Sequence, residues 1–338
     1  MNVLVTGSTS LLGRAVARRL IDRGDQVAVL QRGQSGLGVP EHRIDLGRTA
    51  PAELAPALAG QTAIVHLAAK VGVVGSWQDY EQANVVGTET LVRAAASADI
   101  ARFVHISSPS VAHAGTSLIG AQAAPADPAR THGHYATTKA MAERFVLDAS
   151  PSIAGAAMSR IALRPHLVWG PGDTQLVGRI IERAQQGRLA TIGSGAALID
   201  SLYIDNAADA IVAGVDRCPE LSGQAFVVSN NQPRPVRELI ERIVLAAGEA
   251  PPRLRVPRSV AKAGGAIAER VWDRTQRNDD PPMTRFLAEQ LSTAHWFDQR
   301  QTQAALQWKP TVSLDEGFAR LAEWFRESPY VDRVQRPR

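Results

Sequence analysis

The N-terminal residues combine an apolar strand, a glycine-containing turn and an amphipathic helix. We predict the strand at Val3–Thr6 and the helix at Leu11–Arg23, with Gly7 and Gly13 at the turn. A strand followed at once by a helix is half of a β-α-β unit, from which parallel sheets are built. Gly7 allows a tight turn, and Gly13 allows helix and strand to pack closely. This beginning predicts a fold of the α/β class.

The same alternation of apolar runs and helical periodicity continues through the first half of the chain. The further predicted strands are Gln26–Leu30, Ala63–Leu67, Arg102–Ile106 and Ser159–Leu163, and the predicted helices between them include Gln82–Ser97 and Thr137–Ala149. Because crossovers between parallel strands are right-handed, these helices would cover both faces of the sheet. The pattern predicts a Rossmann-type, doubly wound parallel sheet.

The second half is less regular. We predict a dinucleotide-binding domain carrying the catalytic residues over 1–165 and a smaller C-terminal substrate-binding cap over 166–330, some segments of which return to the first domain. A tail follows at 331–338. Helices are predicted at Val236–Ala247 and Leu314–Arg326. Ser259–Trp272 has apolar residues at helical spacing, and its role as plain packing, as a lid or as a membrane contact stays open.

Composition excludes several classes of protein. Of 338 residues, 45% are hydrophobic and 21% charged, as in ordinary globular proteins. The net charge is +4, but the basic residues are interleaved with acidic ones, so we expect no nucleic-acid partner. Cys218 is the single cysteine and cannot form an intrachain disulfide, which fits a cytoplasmic location. No signal peptide precedes the first strand, and no stretch is apolar enough to span a membrane. We expect a soluble protein.

The turn between Thr6 and Gly13 has the context of a dinucleotide-binding fingerprint, because it follows a strand and opens a helix. The helix N-terminus offers N–H groups and a positive dipole end to a pyrophosphate. Ser10 occupies the place of the usual middle glycine. The predicted cofactor-binding residues are Gly7, Ser10, Leu11, Leu12, Gly13, Arg32, Asp45, Leu46, Ala68, Tyr135, Lys139 and Pro165. No metal site is predicted.

The end of the second strand bears on the choice of cofactor. An acidic residue there would bind the ribose 2′-hydroxyl of NAD, whereas an arginine accommodates the 2′-phosphate of NADP. Gln31 occupies the acidic position and Arg32 follows it. Arg14 could supply a second cation, and Asp45 could accept from the adenine amino group. We therefore predict NADP(H) rather than NAD.

Tyr135 and Lys139 are four residues apart and share one face of a predicted helix. A nearby ammonium group favours the phenolate and lowers the tyrosine pKa from about 10. A pKa closer to the working pH makes general acid–base catalysis more efficient. Ser107 and Ser108 end an upstream strand. The combination is typical of a proton donor and a hydrogen-bond donor for a carbonyl oxygen.

These motifs resemble those of the extended short-chain dehydrogenases/reductases, in the branch of the 3β-hydroxysteroid and sterol dehydrogenases. The residues that carry the resemblance are Thr6–Gly13, Asn84–Thr88, Phe103–Val111, Tyr135, Lys139, Leu163–Pro165, Trp169–Gly172, Tyr203–Asn206 and Pro282–Phe286. Within that branch, the chain is similar to bacterial reductases of long-chain olefin biosynthesis, which reduce the ketone of 2-alkyl-3-oxoalkanoic acids with NADPH. The runs Gln82–Thr88, Leu176–Leu189 and Thr284–Leu291 carry this closer similarity.

The resemblance implies a role for each matching residue. Tyr135 would donate a proton to the carbonyl oxygen while hydride arrives from the nicotinamide. Lys139 would lower the tyrosine pKa and hold the nicotinamide ribose, and Ser108 would hydrogen-bond the carbonyl oxygen. The family register favours Ser108 over its neighbours Ser107 and Ser110. Members of the superfamily are often dimers, so we expect a homodimer, with a multienzyme complex as a further option.

Four functions are open at this stage. The first is NADPH-dependent reduction of a ketone with apolar arms, and the second is dehydrogenation of a 3β-hydroxysteroid or sterol. A nucleotide-sugar epimerase or dehydratase is the third, although dehydratases usually have an acidic pair where Pro109–Val111 follows Ser108. The fourth is a cofactor-sensing binding protein without turnover. Such proteins tend to lose the catalytic tyrosine or lysine, whereas this chain has both Tyr135 and Lys139.

Overall fold

The computed structural model describes residues 1–72, 75–112, 115–155, 157–275 and 284–327. The strands are β1 (Asn2–Thr6), β2 (Gln26–Gln31), β3 (Glu41–Arg43), β4 (Ala63–His66), β5 (Arg102–Ile106), β6 (Leu118–Ala121), β7 (Ser159–Pro165), β8 (Val168–Trp169), β9 (Ala190–Ile192), β10 (Leu198–Ile199), β11 (Leu202–Tyr203), β12 (Ala225–Val228), β13 (Arg234–Pro235), β14 (Leu254–Val256) and β15 (His295–Phe297).

The helices are α1 (Leu11–Asp22), α2 (Ala55–Leu58), α3 (Trp77–Tyr80), α4 (Gly87–Ser97), α5 (His134–Asp148), α6 (Pro151–Ala154), α7 (Val177–Gln185), α8 (Ile204–Arg217), α9 (Val236–Ala246), α10 (Arg258–Thr275), α11 (Arg285–Gln290), α12 (Arg300–Leu306) and α13 (Leu314–Glu327). Short 3₁₀ turns lie at Leu46–Arg48, Pro51–Leu54 and Pro109–Ala112, and a π-helical turn lies at Glu81–Val86.

Seven parallel strands form the main sheet, in the order β12-β7-β5-β4-β1-β2-β3. Side chains along each strand alternate between two apolar clusters, one on each face. On β1, Val3 and Val5 join the cluster that contains α1 and α8, whereas Leu4 joins the cluster that contains α4 and α5. Because both faces are covered, the central strands of the sheet are mostly apolar. The predicted Rossmann-type, doubly wound sheet is confirmed.

The predicted strands match the structure within a few residues, but two strands of the main sheet, β3 and β12, were missed, as were the short strands outside that sheet. β3 is short and half-exposed, and β12 lies in the second half of the chain, from which it returns to the edge of the main sheet beside β7. α8 returns too and packs against α1. Their pairing depends on long-range contacts, which local periodicity does not report.

The predicted helix at Gln82–Ser97 is divided in the structure. The π-helical turn at Glu81–Val86 precedes α4, which begins at Gly87. Insertions of this kind widen a helix locally and frequently occur at functional sites. Here Asn84 lies within the turn and is almost completely buried, so its amide can bind groups from two other elements.

A smaller sheet, in the order β13-β10-β15-β6, draws strands from both halves of the chain. β6 lies before residue 165 and pairs with β15, so the division into domains at 165 stays a prediction. The predicted helix at Ser259–Trp272 is present as α10, with Val260 and Ile267 more than half exposed. The side chain of Trp272, Pro282 and the tail at 331–338 lie outside the described residues.

A buried ion pair fastens α5 to β7. Arg164 and Glu143 are each about 1% exposed, and their closest N–O distance is 2.5 Å. Arg164 also donates to the carbonyl oxygen of Ala124, at 2.7 Å. Since truncation of one partner leaves a buried charge unpaired, the pair fixes the position of α5 against the sheet. In the described parts of the chain, none of the helices has the length and apolar character needed to cross a membrane.

Candidate active site

The turn between β1 and α1 is shaped by two glycines. Gly7 has a φ of +73°, and a Cβ added to it would lie 2.8 Å from the backbone nitrogen of Ala68. A Cβ added to Gly13 would lie 2.3 Å from the carbonyl oxygen of Gly7. Both distances are shorter than any real Cβ contact, so only glycine fits either position. The close approach of backbone to backbone is what a dinucleotide cradle requires.

Ser10 caps α1. Its hydroxyl accepts a hydrogen bond from the backbone nitrogen of Gly13 at 3.1 Å and donates one to the carbonyl oxygen of Gly7 at 2.8 Å. The serine in the place of the middle glycine is thus used as an N-cap, for which serine is strongly preferred. Leu11 and Leu12 follow it and pack against the apolar cluster around Trp169. The helix N-terminus is therefore held firmly at the edge of the sheet.

Gln31 occupies the position where an acidic residue would select NAD. It is 5% exposed, and its amide oxygen accepts a hydrogen bond from the Ser8 hydroxyl. Its amide nitrogen is buried without a partner among the described residues. Arg32 follows and is exposed, with no hydrogen bond or ion pair to any described residue. The Arg14 guanidinium donates to the carbonyl oxygen of Ser35 at 2.7 Å, so two arginines lie near this strand end.

The other predicted cofactor residues follow strand ends along the same edge of the sheet. Asp45 accepts from the backbone nitrogen of Gly47 at 3.2 Å and caps the 3₁₀ turn that begins at Leu46. The backbone nitrogen of Ala68 donates to the Thr6 hydroxyl at 3.0 Å. Pro165 is the last residue of β7. These residues therefore lie at or just after the carboxyl ends of parallel strands, where α/β sheets bind ligands.

Tyr135 lies beside Ser108, which follows β5, and the Ser108 hydroxyl acts to lower the pKa of the Tyr135 phenol. Ser108 is further fixed by Ser110, whose hydroxyl oxygen lies 2.9 Å from the Ser108 hydroxyl oxygen. Ser107, in contrast, has a buried hydroxyl without a partner among the described residues. Of the three serines, Ser108 is the one that the structure places against Tyr135.

The predicted lowering of the Tyr135 pKa is wrong for the ligand-free protein. Lys139 was expected to lower the tyrosine pKa, but burial raises the pKa of Tyr135, and the hydrogen bond with Ser108 opposes this only in part. The reason is the direction of the lysine side chain. The Lys139 ammonium donates to the carbonyl oxygen of Ile106 at 2.7 Å and lies 3.2 Å from Nε2 of His105. Tyr135 and Lys139 share a helix face but lie against different residues. Lys139 contacts His105 and Ile106 of β5, whereas Tyr135 lies beside Ser108, which follows β5.

Lys139 is 2% exposed, and burial lowers its pKa to about 8, against the attraction of Glu143. Burial, and then the charge of Lys139, hold the pKa of His105 well below its ordinary value. His105 is therefore neutral and can accept a hydrogen bond from the ammonium. Sequence reasoning missed this contact. Its signal was a histidine inside an otherwise apolar strand, three residues before Ser108.

Asn84 connects α5 to the end of β4. Its amide nitrogen donates to the Thr138 hydroxyl at 3.0 Å and to the carbonyl oxygen of Lys70 at 3.1 Å, while its amide oxygen accepts from the Lys70 backbone nitrogen at 2.7 Å. Thr138 lies between Tyr135 and Lys139 on α5. One buried amide thus fixes both the catalytic helix and the loop after β4.

His66 supports the same region from the sheet. Its ring nitrogens lie 2.8 Å from the Thr6 hydroxyl oxygen and 3.0 Å from the Thr88 hydroxyl oxygen. Burial, followed by the charge of Lys139, lowers the pKa of His66 to about 3. A neutral histidine with both nitrogens engaged has a structural role, and its partner Thr6 also positions Ala68.

Comparison with known proteins agrees with this geometry. The profile of the NAD dependent epimerase/dehydratase family matches residues 3–229. The chain belongs to this family. It is 39% identical over 334 residues to the 2-alkyl-3-oxoalkanoate reductase of Stenotrophomonas maltophilia (strain K279a), a match that covers 95% of this chain and 98% of the relative.

A second reductase with the same name, from Shewanella oneidensis, is 35% identical over 95% of this chain and 85% of its own. The human sterol-4-alpha-carboxylate 3-dehydrogenase, decarboxylating, is 26% identical over 95% of this chain and 87% of its own. The structure of MoeE5 in complex with UDP-glucose and NAD superposes with a TM-score of 0.74 at 24% identity, over 97% of this chain and 100% of that one; it shows the shared fold. Family and relatives make the chain an oxidoreductase that uses a nicotinamide cofactor.

Proposed function

We propose that the protein reduces the ketone of a 2-alkyl-3-oxoalkanoic acid to the 2-alkyl-3-hydroxyalkanoic acid with NADPH. The observation that carries the proposal is the placement of Tyr135 beside Ser108 at the edge of the sheet that also holds the glycine turn. The reductases of that name, at up to 39% identity over nearly the whole chain, supply the substrate class. In the proposal, residues 1–165 bind the cofactor and carry the catalysis, and the cap binds the substrate.

The raised pKa of Tyr135 suits reduction. A phenol that holds its proton at neutral pH is ready to donate it to the ketone oxygen. The Ser108 hydroxyl, which lies beside the phenol, would stabilise the negative charge that develops on that oxygen. The nicotinamide supplies the hydride to the ketone carbon when it is bound. Hydride and proton together convert the ketone into the alcohol.

Lys139 and Asn84 would act beside this pair. In the proposal, the Lys139 ammonium leaves the carbonyl of Ile106 for the ribose hydroxyls of the cofactor and so orients the nicotinamide. Asn84 keeps α5 in register through Thr138. Neither side chain needs to exchange a proton with the substrate.

The choice of NADP over NAD rests on the strand end at Gln31 and Arg32. A carboxylate there would repel a 2′-phosphate, and Gln31 presents an amide instead. Arg32 is exposed and unengaged by any described residue, and Arg14 lies nearby. These residues fit the phosphorylated ribose, so we include NADP in the proposal.

Oxidation of a sterol is the second candidate, because the human sterol dehydrogenase matches 95% of the chain. The same residues would serve the reverse reaction. In that direction, however, the tyrosine must accept a proton, and the raised pKa of Tyr135 makes a protonated phenol the resting form. The ligand-free protein therefore holds Tyr135 in the protonation state that the reductive direction requires.

A substrate panel tests the proposal. Purified protein would be mixed with NADPH or NADH and with a 2-alkyl-3-oxoalkanoic acid, a 3-ketosteroid or a UDP-sugar, and cofactor oxidation would be followed at 340 nm. We expect turnover with the oxo acid and NADPH, and at least tenfold lower kcat/KM with each other combination. Preference for the steroid would overturn the substrate assignment, and preference for NADH would overturn the cofactor assignment.

A further inference from the structure

Two of the relatives have names that share a chemical feature. In a 2-alkyl-3-oxoalkanoate, the carboxylate and the ketone flank one carbon, and in a sterol-4-alpha-carboxylate the carboxylate is on the carbon next to C3. If this chain acts on such an acid, a negative charge is held beside the reacting carbon. That charge must be matched by a cation or by water, because burying it unpaired is expensive. A cation near Tyr135 and Ser108 is therefore expected.

The cations on α5 and β7 are already engaged. Lys139 donates to the carbonyl oxygen of Ile106, and in the proposed function it moves to the cofactor. Arg164 forms the buried pair with Glu143. Neither is placed to hold a second carboxylate without giving up its present partner.

Lys70 has a different environment. It follows β4, directly beside β5 in the sheet, and Asn84 holds both its backbone nitrogen and its carbonyl oxygen. The same Asn84 amide binds Thr138 on α5. The backbone of Lys70 is thus fixed to the helix that carries Tyr135.

The side chain of Lys70 follows a defined path. A Cβ added to Gly75 would lie 2.6 Å from Cε of Lys70, so the stem lies directly against the Gly75 backbone. The ammonium lies 5.3 Å from the centre of the Tyr80 ring. Tyr80 is buried and contacts the ring of His134, the residue before Tyr135, at 6.0 Å. The ring of Tyr80 therefore lies close both to the Lys70 ammonium and to His134, which is next to Tyr135 in the first turn of α5.

The present partner of Lys70 is weakly held. Asp79 approaches to 3.7 Å, and the two side chains are 33% and 56% exposed. Exposed ion pairs at this distance contribute little to stability. A substrate carboxylate could take the place of Asp79 at small cost, and the ring of Tyr80 would continue to support the ammonium.

We propose that Lys70 binds the substrate carboxylate and thereby selects 3-oxo acids over neutral ketones. The inference rests on the proposed function, since it assigns the subsite for the acid group of that substrate. Asn84 and Gly75 position the lysine, and Tyr80 lies beneath its charge. The catalytic pair then meets a ketone whose orientation is set by the neighbouring acid group.

The test compares a charged and a neutral substrate in the oxidative direction, which avoids the loss of CO₂ from 3-oxo acids. The wild type, Lys70→Met and Lys70→Arg would be assayed with NADP⁺ and a 2-alkyl-3-hydroxyalkanoic acid or its methyl ester. We expect Lys70→Met to lower kcat/KM for the acid about 10-fold to 100-fold and to change that for the ester far less. Lys70→Arg should restore most of the preference for the acid. Lys262→Met, which removes another paired lysine, is the matched control.

The outcomes separate the two proposals. An equal loss on acid and ester, or a higher KM for NADP⁺ with both, would overturn the role of Lys70 and leave the reductase assignment standing. If the wild type turns over only in the reductive direction, the same comparison would use the 3-oxo acid and its methyl ester with NADPH. A wild type that neither reduces the 3-oxo acid nor oxidises the 3-hydroxy acid would overturn the proposed function and the subsite with it. Circular dichroism and thermal melting of each variant would identify a loss that is due to misfolding.

Discussion

The glycine turn and the α5 face lie at the same edge of the sheet but are built differently. The turn is made by backbone: Gly7 and Gly13 approach other main-chain atoms so closely that no side chain fits. The α5 face is made by side chains that reach residues far away in sequence. Tyr135 lies beside Ser108, and the Lys139 ammonium contacts His105 and the carbonyl oxygen of Ile106.

The difference shows what spacing can predict. Within about a dozen residues, backbone geometry follows from local sequence, so the glycine turn and the start of α1 were readable, whereas the use of Ser10 as the N-cap was seen only in the structure. On α5, the spacing of four predicted a shared face correctly, but it did not predict which residues the two side chains would contact. Their pKa values follow from those contacts and from burial, so the electrostatics of the pair were not readable.

The largest expected effect is at Tyr135. Tyr135→Phe removes the proton donor and keeps the ring, so we expect kcat to fall about 100-fold to 10,000-fold with little change in NADPH affinity. Single-turnover kinetics and NADPH fluorescence titration would measure the two quantities. Ser110→Ala, which removes a hydroxyl that contacts Ser108 but not Tyr135, is a milder comparison. A Tyr135→Phe variant with wild-type kcat would show that the pair does not carry the chemistry.

An intermediate effect is expected at the cofactor edge. Arg32→Ala should raise the KM for NADPH about tenfold or more, because it removes a charged contact to the 2′-phosphate, and should leave the KM for NADH within about twofold. Arg18→Ala removes an exposed arginine further along α1 and serves as the control. Steady-state kinetics with both cofactors would show the split. Equal changes for NADPH and NADH would contradict a phosphate-binding role.

The same contrast explains which parts of the fold were predictable. The five predicted strands of the main sheet are apolar runs that stand out from their surroundings, and all are present. β12 escaped prediction because its place beside β7 is decided by a contact between residues about sixty positions apart. His105 escaped for a similar reason: a largely apolar strand shows that its fourth residue is buried, but not that a lysine on α5 will bind it.

The smallest expected effect tests that missed contact. In the ligand-free protein, the pKa of Lys139 is about 8, so its ammonium form, and with it kcat/KM for NADPH, should decline as the pH rises through that value. His105 stays neutral over this range; of the other groups near the ammonium, His66 is also neutral and Glu143 is paired with Arg164.

His105→Leu removes an acceptor from the ammonium, so the alkaline limb of the pH profile should move to lower pH. His105→Gln keeps an acceptor and should stay closer to the wild type. Identical limbs in all three proteins would show that burial alone sets the lysine pKa and that the contact with β5 is only packing.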